Sequence, residues 1–257
     1  MTILAAGAFA SGGALAGPVV PGFDSHTLTP NDDSSVFADI GFTANFFGSE
    51  YTSLYVNNNG NVTFGSPLDA YTPFDLTSTN TAIIAPFFAD VDTRYAGSPV
   101  TYGTGTYNGQ AAFGANWVDV AYYSIGGAPH TARNSFQLLL VDQGGGDFDI
   151  IFNYDAIQWE SGTANGGSYL GLGGDSARAG YSNGSGAAGT FFELPGSAVN
   201  GAFLDGSSYA LTSHGVSFEV SNGVVSAPIP SVPEPETYAM LLAGLGIVTA
   251  VARRRKV

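Results

Sequence analysis

Asp90 and Asp92 close an apolar run, "IIAPFFADVDTR" at 83–94, two residues apart. At strand spacing both side chains face the same way. Two carboxylates with loop carbonyls then supply the hard oxygen ligands that Ca²⁺ takes. Arg94, the next residue on that face, competes for them, and a salt bridge or turn-capping network accounts for the same residues without an ion. Asp90 and Asp92 are therefore the one candidate metal pair, for calcium, and no other cofactor is expected. Asp119, Asp147 and Asp149 would complete such a site only if the fold brought them near, which spacing does not decide. Asp90 with a second acid would also serve a glycosidase, but nothing marks that second carboxylate or its distance.

Nucleophile and cofactor spellings are present but lack their frames. Gly180-Tyr181-Ser182-Asn183-Gly184 spells G-x-S-x-G, with Asp205 and His214 following in hydrolase order. That elbow needs a helix after the serine, and "GSGAAGTFFELPG" is too rich in Gly to form one. Ser182 is read as a loop residue. Gly184 to Gly189 spells G-x-G-x-x-G without the strand and helix of a dinucleotide site. His26, His130 and His214 share no metal-ligand spacing and are read as surface residues. Trp117, Trp159, Tyr122, Tyr123 and Tyr154 would stack on sugars if exposed, although a sandwich of this size needs aromatic filling first. No catalytic residue is assigned. The rival reading is a secreted hydrolase of matrix polysaccharide.

The elements that must position these residues read as strands. Residues 17–232 carry short β-branched and aromatic runs separated by Gly, Asn and Asp. "YTSLYVNNNGNVTFG" alternates Leu54 and Val56, turns through Asn59-Gly60, and resumes with Val62 and Phe64. Asn-Gly is suited to the positive φ of a two-residue hairpin turn. Phe136, Leu138 and Leu140 share one face, and Gly144 to Gly146 lead to Phe148, Ile150 and Phe152. "TAIIAPFFADVD" is apolar on both faces, as in the middle of a packed sheet. The pattern predicts an all-β fold, a single antiparallel β-sandwich in one domain.

Composition narrows the company this protein keeps. Arg94, Arg133 and Arg178 are the only basic residues ahead of the last five positions, and the formal net charge is −14. A surface so acidic repels phosphate backbones, which excludes nucleic acid as a partner. It suits a protein outside the cell, among divalent cations or neutral polymers. The 257 residues include no Cys, so disulfides, thiol catalysis and thiolate metal sites are excluded together. Gly is abundant at 36 residues, about twice the usual share.

Both ends read as addresses. An apolar stretch, Ile3 to Ala10, precedes the small residues Ala14 and Ala16, which predicts a signal peptide over 1–16 cleaved after Ala16. No basic residue comes before it. At the other end, residues 237–252 are uncharged. As a helix they would span about 24 Å, marginal against a hydrocarbon core of roughly 30 Å. Arg253, Arg254, Arg255 and Lys256 follow. They would stop transfer and hold the C-terminus in the cytoplasm, leaving the body outside.

The last 25 or so residues, "VPEPETYAMLLAGLGIVTAVARRRK", resemble a PEP-CTERM sorting signal: Pro233, Glu234 and Pro235, an apolar helix and an Arg-rich end. The resemblance implies recognition by an exosortase, which cleaves near the motif in Gram-negative bacteria that make exopolysaccharide. Two prolines keep the motif extended and out of the helix, where a protease can reach it.

A second resemblance rests on words in order: "LYVNNNGNVTFG" at 54–65, "IIAPFFADVDTR", "NWVDVAYY" at 116–123 and "RNSFQLLLVD" at 133–142. "DFDIIFNYDAIQW" at 147–159, "AGYSNGS" at 179–185 and "LPGS" at 194–197 complete the set. Together they resemble the NIDO domain, an extracellular module of nidogen and tectorin-like proteins. It implies matrix and adhesion roles without assigned catalysis. The expected organisation is a signal peptide (1–16), a lead (17–35), a NIDO-like sandwich (36–222), a linker (223–232) and the sorting signal (233–257). The expected protein is exported across the inner membrane and briefly anchored by its C-terminal helix. It would then act in adhesion or matrix organisation at the cell surface or in the exopolysaccharide matrix of a biofilm, with exopolysaccharide or matrix proteins as partners.

Overall fold

The computed structural model describes residues 18–95, 98–126, 131–213, 215–226 and 229–230. They form two antiparallel sheets, and the only helical segments among them are two short 3₁₀ turns, Thr163–Asn165 and Leu211–Ser213. In chain order the strands are β1 (His26–Thr27), β2 (Ser35–Phe46), β3 (Ser49–Asn57), β4 (Asn61–Thr63) and β5 (Ala82–Phe88). β6 (Val91–Asp92), β7 (Thr101–Tyr107), β8 (Gln110–Tyr122), β9 (Asn134–Gly144) and β10 (Asp147–Ala156) follow. β11 (Arg178–Asn183), β12 (Phe191–Glu193), β13 (Val216–Ser221), β14 (Val224–Val225) and β15 (Ile229–Pro230) complete the set.

The larger sheet runs β1-β7-β8-β9-β10-β13-β14, with β6 on β8 and β15 on β13. The smaller runs β12-β11-β5-β4-β3-β2. One core lies between them, with Leu54, Val56, Val62 and Phe87 from the smaller sheet and Phe136, Leu138, Phe148 and Phe152 from the larger. Ile150 pairs with Leu140 and Phe152 with Leu138, so the alternation expected from sequence delivers both runs to one face.

The other faces are covered too, which the alternation alone does not reveal. Phe23, in the segment ahead of β1, packs on Ala112, Leu139, Val141 and Ile151 across the outer face of the larger sheet. The strap is fixed by Asn116 Nδ2, which donates to the Phe23 carbonyl at 2.7 Å, and Gln137 Nε2, which donates to that of Val20 at 2.7 Å. A side chain at Gly114 would collide with it, since a Cβ there lies 2.5 Å from that of Phe23. On the smaller sheet, Ile83, Ala85 and Phe88 are buried under Leu68, Phe74 and Leu76. This is why the run in β5, the central strand, is apolar on both faces.

The β3–β4 turn differs from expectation. Asn57 pairs with Asn61, leaving three residues in the connection, and Gly60 alone among them takes positive φ, 75°. A Cβ at Gly60 would come within 1.8 Å of the Phe87 carbonyl oxygen, so close approach to β5 sets this residue as much as the turn does. Among the described residues no helix is long and apolar enough to cross a membrane. The span 237–252 lies outside them.

Candidate functional site

Between β5 and β6 the chain leaves one sheet for the other, and Asp90 sits at that corner. β5 ends at Phe88, so the strand alternation expected to run through Asp90, Asp92 and Arg94 is interrupted. The two carboxylates go to different partners. Asp92 is fully buried and accepts from the Arg94 backbone N–H (2.9 Å), from Nε (2.9 Å) and from NH2 (2.7 Å). Asp90, 1% exposed, instead meets Asp32 and Asp33: one carboxylate oxygen from each of the three lies within 4.8 Å of the other two.

A polar scaffold holds the 31–34 segment against this corner. Thr93 N–H donates to the Asn31 carbonyl (3.0 Å), and Asn31 N–H donates to Thr93 Oγ1 (2.8 Å). The Asn58 side-chain amide reaches the carbonyls of both Asp32 and Val91. Asn59 Nδ2 donates to Asp33 Oδ1 (2.8 Å), while its Oδ1 accepts from Val91 N–H (2.9 Å). Trp117 Nε1 donates to the Asn58 carbonyl at 2.9 Å, anchoring the turn to the larger sheet. These asparagines are buried because they replace water for a chain corner that forms no ladder.

Electrostatically the corner is overloaded with negative charge. Arg94 NH2 lies 2.8 Å from Asp32 Oδ2 and 2.7 Å from Asp92 Oδ2, one guanidinium for four carboxylates. Burial, then the charges of Asp32, Asp33 and Asp92, pushes Asp90 up to about 8. Burial, then Asp92 and Asp33, raises Asp32 to about 6. Burial also raises Asp33. The backbone of Gly162 closes one side, for a Cβ there would sit 2.1 Å from Asp90 Oδ2.

Asp119, Asp147 and Asp149 are elsewhere. Asp119 lies 3.8 Å from Arg133, Asp147 caps the Asn222 N–H at 2.7 Å, and Asp149 accepts from Gln143 Nε2 at 2.8 Å. Asp32 and Asp33 were not singled out by sequence reasoning. Their signal was an Asx-rich "NDDSS" just ahead of a strand, which reads equally well as a turn.

Ser182 is on β11 rather than in a loop, fully buried between β5 and β12. Its Oγ accepts from Gly184 N–H at 3.1 Å. Asp205 is engaged with Ile157 N–H (3.1 Å) and Thr212 Oγ1 (2.8 Å). The G-x-G-x-x-G stretch, Gly184 to Gly189, lies in the connection between β11 and β12, with a strand rather than a helix after it. Trp117, Trp159, Tyr122 and Tyr154 are core residues and Tyr123 is half-buried. His26 is exposed and stacks on Tyr102. His130, His214, Ala14, Ala16, Pro233, Glu234, Pro235 and Arg253 to Lys256 lie outside the described residues.

Long connections from both sheets are tied together beside the acidic corner. Tyr123 N–H donates to the Asp90 carbonyl and Thr163 N–H to that of Tyr123, both at 3.0 Å. Ile125 N–H donates to Thr163 Oγ1 (2.8 Å), Tyr122 OH to the Tyr169 carbonyl (2.8 Å), and Asn165 Nδ2 to the Tyr71 carbonyl (3.2 Å). Glu160, its carboxyl raised by burial, accepts from Gly201 and Phe203 N–H and ties in the 194–213 connection. These connections display Tyr71, Ile125, Tyr169 and Leu170, the last 73% exposed.

The nidogen-like domain family matches residues 52–107 and 99–216, and the PEP-CTERM protein-sorting motif matches 231–256. Alpha-tectorin of Homo sapiens is 38% identical over 202 residues, covering 69% of this chain and 9% of the relative. Alpha-tectorin of Gallus gallus is 36% identical with the same coverage. Nidogen of Drosophila melanogaster is 27% identical over 182 residues, 61% of this chain and 13% of the relative. The chain thus spans roughly a tenth of the length of these curated relatives. No solved structure matches it.

Proposed function

The chain belongs to the nidogen-like domain family and carries a PEP-CTERM sorting motif that marks it as an exported exosortase substrate; from that premise we propose that it acts without catalysis, in adhesion or matrix organisation. The observation that carries this reading is the union of the two matches in one chain. An extracellular type of module is joined to an export address. The knit loop assembly supports it, since exposed apolar side chains on loops held by a rigid scaffold are a common form of contact surface. The burial of Ser182, and the engagement of Asp205 with Ile157 and Thr212, weigh against the hydrolase spelling.

In this reading the body lies outside the inner membrane, held for a time by the span 237–252, and is then released to the cell surface or the surrounding matrix. Its partners there are exopolysaccharide or matrix proteins of the producing cell. The test is to incubate purified protein with exopolysaccharide from that organism, then measure co-sedimentation and reducing-sugar release. Retention without sugar release is expected. Sugar release at catalytic protein concentrations would replace this reading with the hydrolase.

A further inference from the structure

Two carboxylate oxygens at the β5–β6 corner, Asp32 Oδ1 and Asp90 Oδ2, are buried without a hydrogen-bond partner. A buried oxygen without a partner keeps its full desolvation cost. Asp90 is almost wholly enclosed, so bulk solvent does not reach it. The geometry points to a calcium site formed by Asp32, Asp33 and Asp90.

One carboxylate oxygen from each of the three acids lies within 4.8 Å of the other two. Oxygens this close fit the tolerant shell that Ca²⁺ forms at about 2.3–2.6 Å with six to eight ligands, whereas Mg²⁺ demands near-ideal octahedral geometry and gives up its water reluctantly. The three acids are also oriented in advance. Arg94 holds one oxygen of Asp32, Asn59 holds one oxygen of Asp33, and Asn58 and Thr93 pin the segment that carries both. Asp32 and Asp33 are part-exposed, which gives an ion a way in and leaves room for water to complete six to eight ligands. Asp92 is not a ligand in this assignment, because Arg94 occupies both of its oxygens. Its role is to hold the guanidinium against Asp32.

The charge balance agrees. Four carboxylates face one guanidinium, and a divalent cation offsets most of the excess. Asp90 also ties to the loop assembly through Tyr123, so an ion here would stiffen that assembly from beneath. The site stands whether or not the protein is adhesive.

The test is calorimetric titration of the full chain, purified in detergent and stripped with EDTA, with CaCl₂ and separately with MgCl₂. One saturable calcium event is expected, with magnesium at least tenfold weaker. Asp90→Asn and Asp33→Asn should each weaken calcium binding tenfold or more, while Glu50→Gln on β3 leaves it unchanged. Calcium should raise the melting temperature of wild type and not of the two weakened variants, since binding to the folded state alone stabilises it. If Asp90→Asn does not fold, the part-exposed Asp33→Asn decides. No saturable calcium heat, equal binding in Asp33→Asn, or magnesium as tight as calcium would each overturn the site.

Discussion

A carboxyl enclosed like that of Asp90 has a protonation state set first by its burial and then by the charges around it. Its pKa is 3.8 in an unfolded chain and about 8 in the fold. Between these values the folded state binds more protons than the unfolded state. In chelator, stability should therefore fall as pH rises from about 4 to about 8 and level off above. Asp32, raised to about 6, adds to the same slope. Thermal melts in EDTA should show that decline, and Asp90→Asn should flatten it and melt higher than wild type at pH 8. A decline of the same steepness in the variant would remove Asp90 as its source. The buried asparagines are the matching lesson. Asn59 reads as a turn residue, yet it and Asn58 are each 1% exposed because the corner needs donors and acceptors that water cannot supply. Asn57 and Asn61 are buried beside them, Asn57 Nδ2 donating to Asn61 Oδ1 and Thr63 Oγ1.

At the scale of elements, the strap at 18–25 changes the nature of the larger sheet. Without it, Leu139, Val141 and Ile151 would face solvent; with it, they form a second core around Phe23. Phe23→Ala should cost about 3 kcal/mol, as for other large-to-small changes in a core. Gly114→Ala should cost about 1–3 kcal/mol through overpacking, because its new methyl would collide with Phe23. The two changes touch the same contact, so they should not add. Gly114→Ala should cost clearly less in the Phe23→Ala background, as read from denaturant melts. Equal costs in both backgrounds would show that the strap does not lie over Gly114. The corner between β5 and β6 is the other element-scale device. It moves the chain between sheets within two residues and buries Asp90 as a consequence.

For the whole molecule, the body and the tail make separable claims. Changing Pro233, Glu234 and Pro235 to Ala should leave export intact and block processing, so full-length chain collects in the membrane fraction. Changing Arg253 to Lys256 into Ser removes the positive-inside brake from a span of about 24 Å. Unprocessed protein should then spill outside the membrane. Fractionation with mass spectrometry of the C-terminus separates the two outcomes. Processing and release of both variants like wild type would show that the tail is not the sorting element.

Sequence by itself determined the strand character of the body, the hairpins that deliver Leu54, Val56, Phe136 and Phe152 to one core, the family and the sorting motif. These are local or linear properties. Alternation follows from the two-residue period of a strand, and a sorting motif is read in order along the chain. Only the tertiary structure decided which carboxylates meet. Asp32 and Asp90 are 58 positions apart in sequence, and no local pattern couples a turn ahead of β2 to a corner after β5. The tertiary structure likewise placed Ser182 in a buried strand rather than a loop. The glycine-rich stretch that argued against a helix after it did not forbid a strand before it. The tertiary structure also paired Asp92 with Arg94 and brought Asp90 to Asp32 and Asp33, because the chain bends after β5 at Ala89, and a bend cancels the alternation on which a shared face depends.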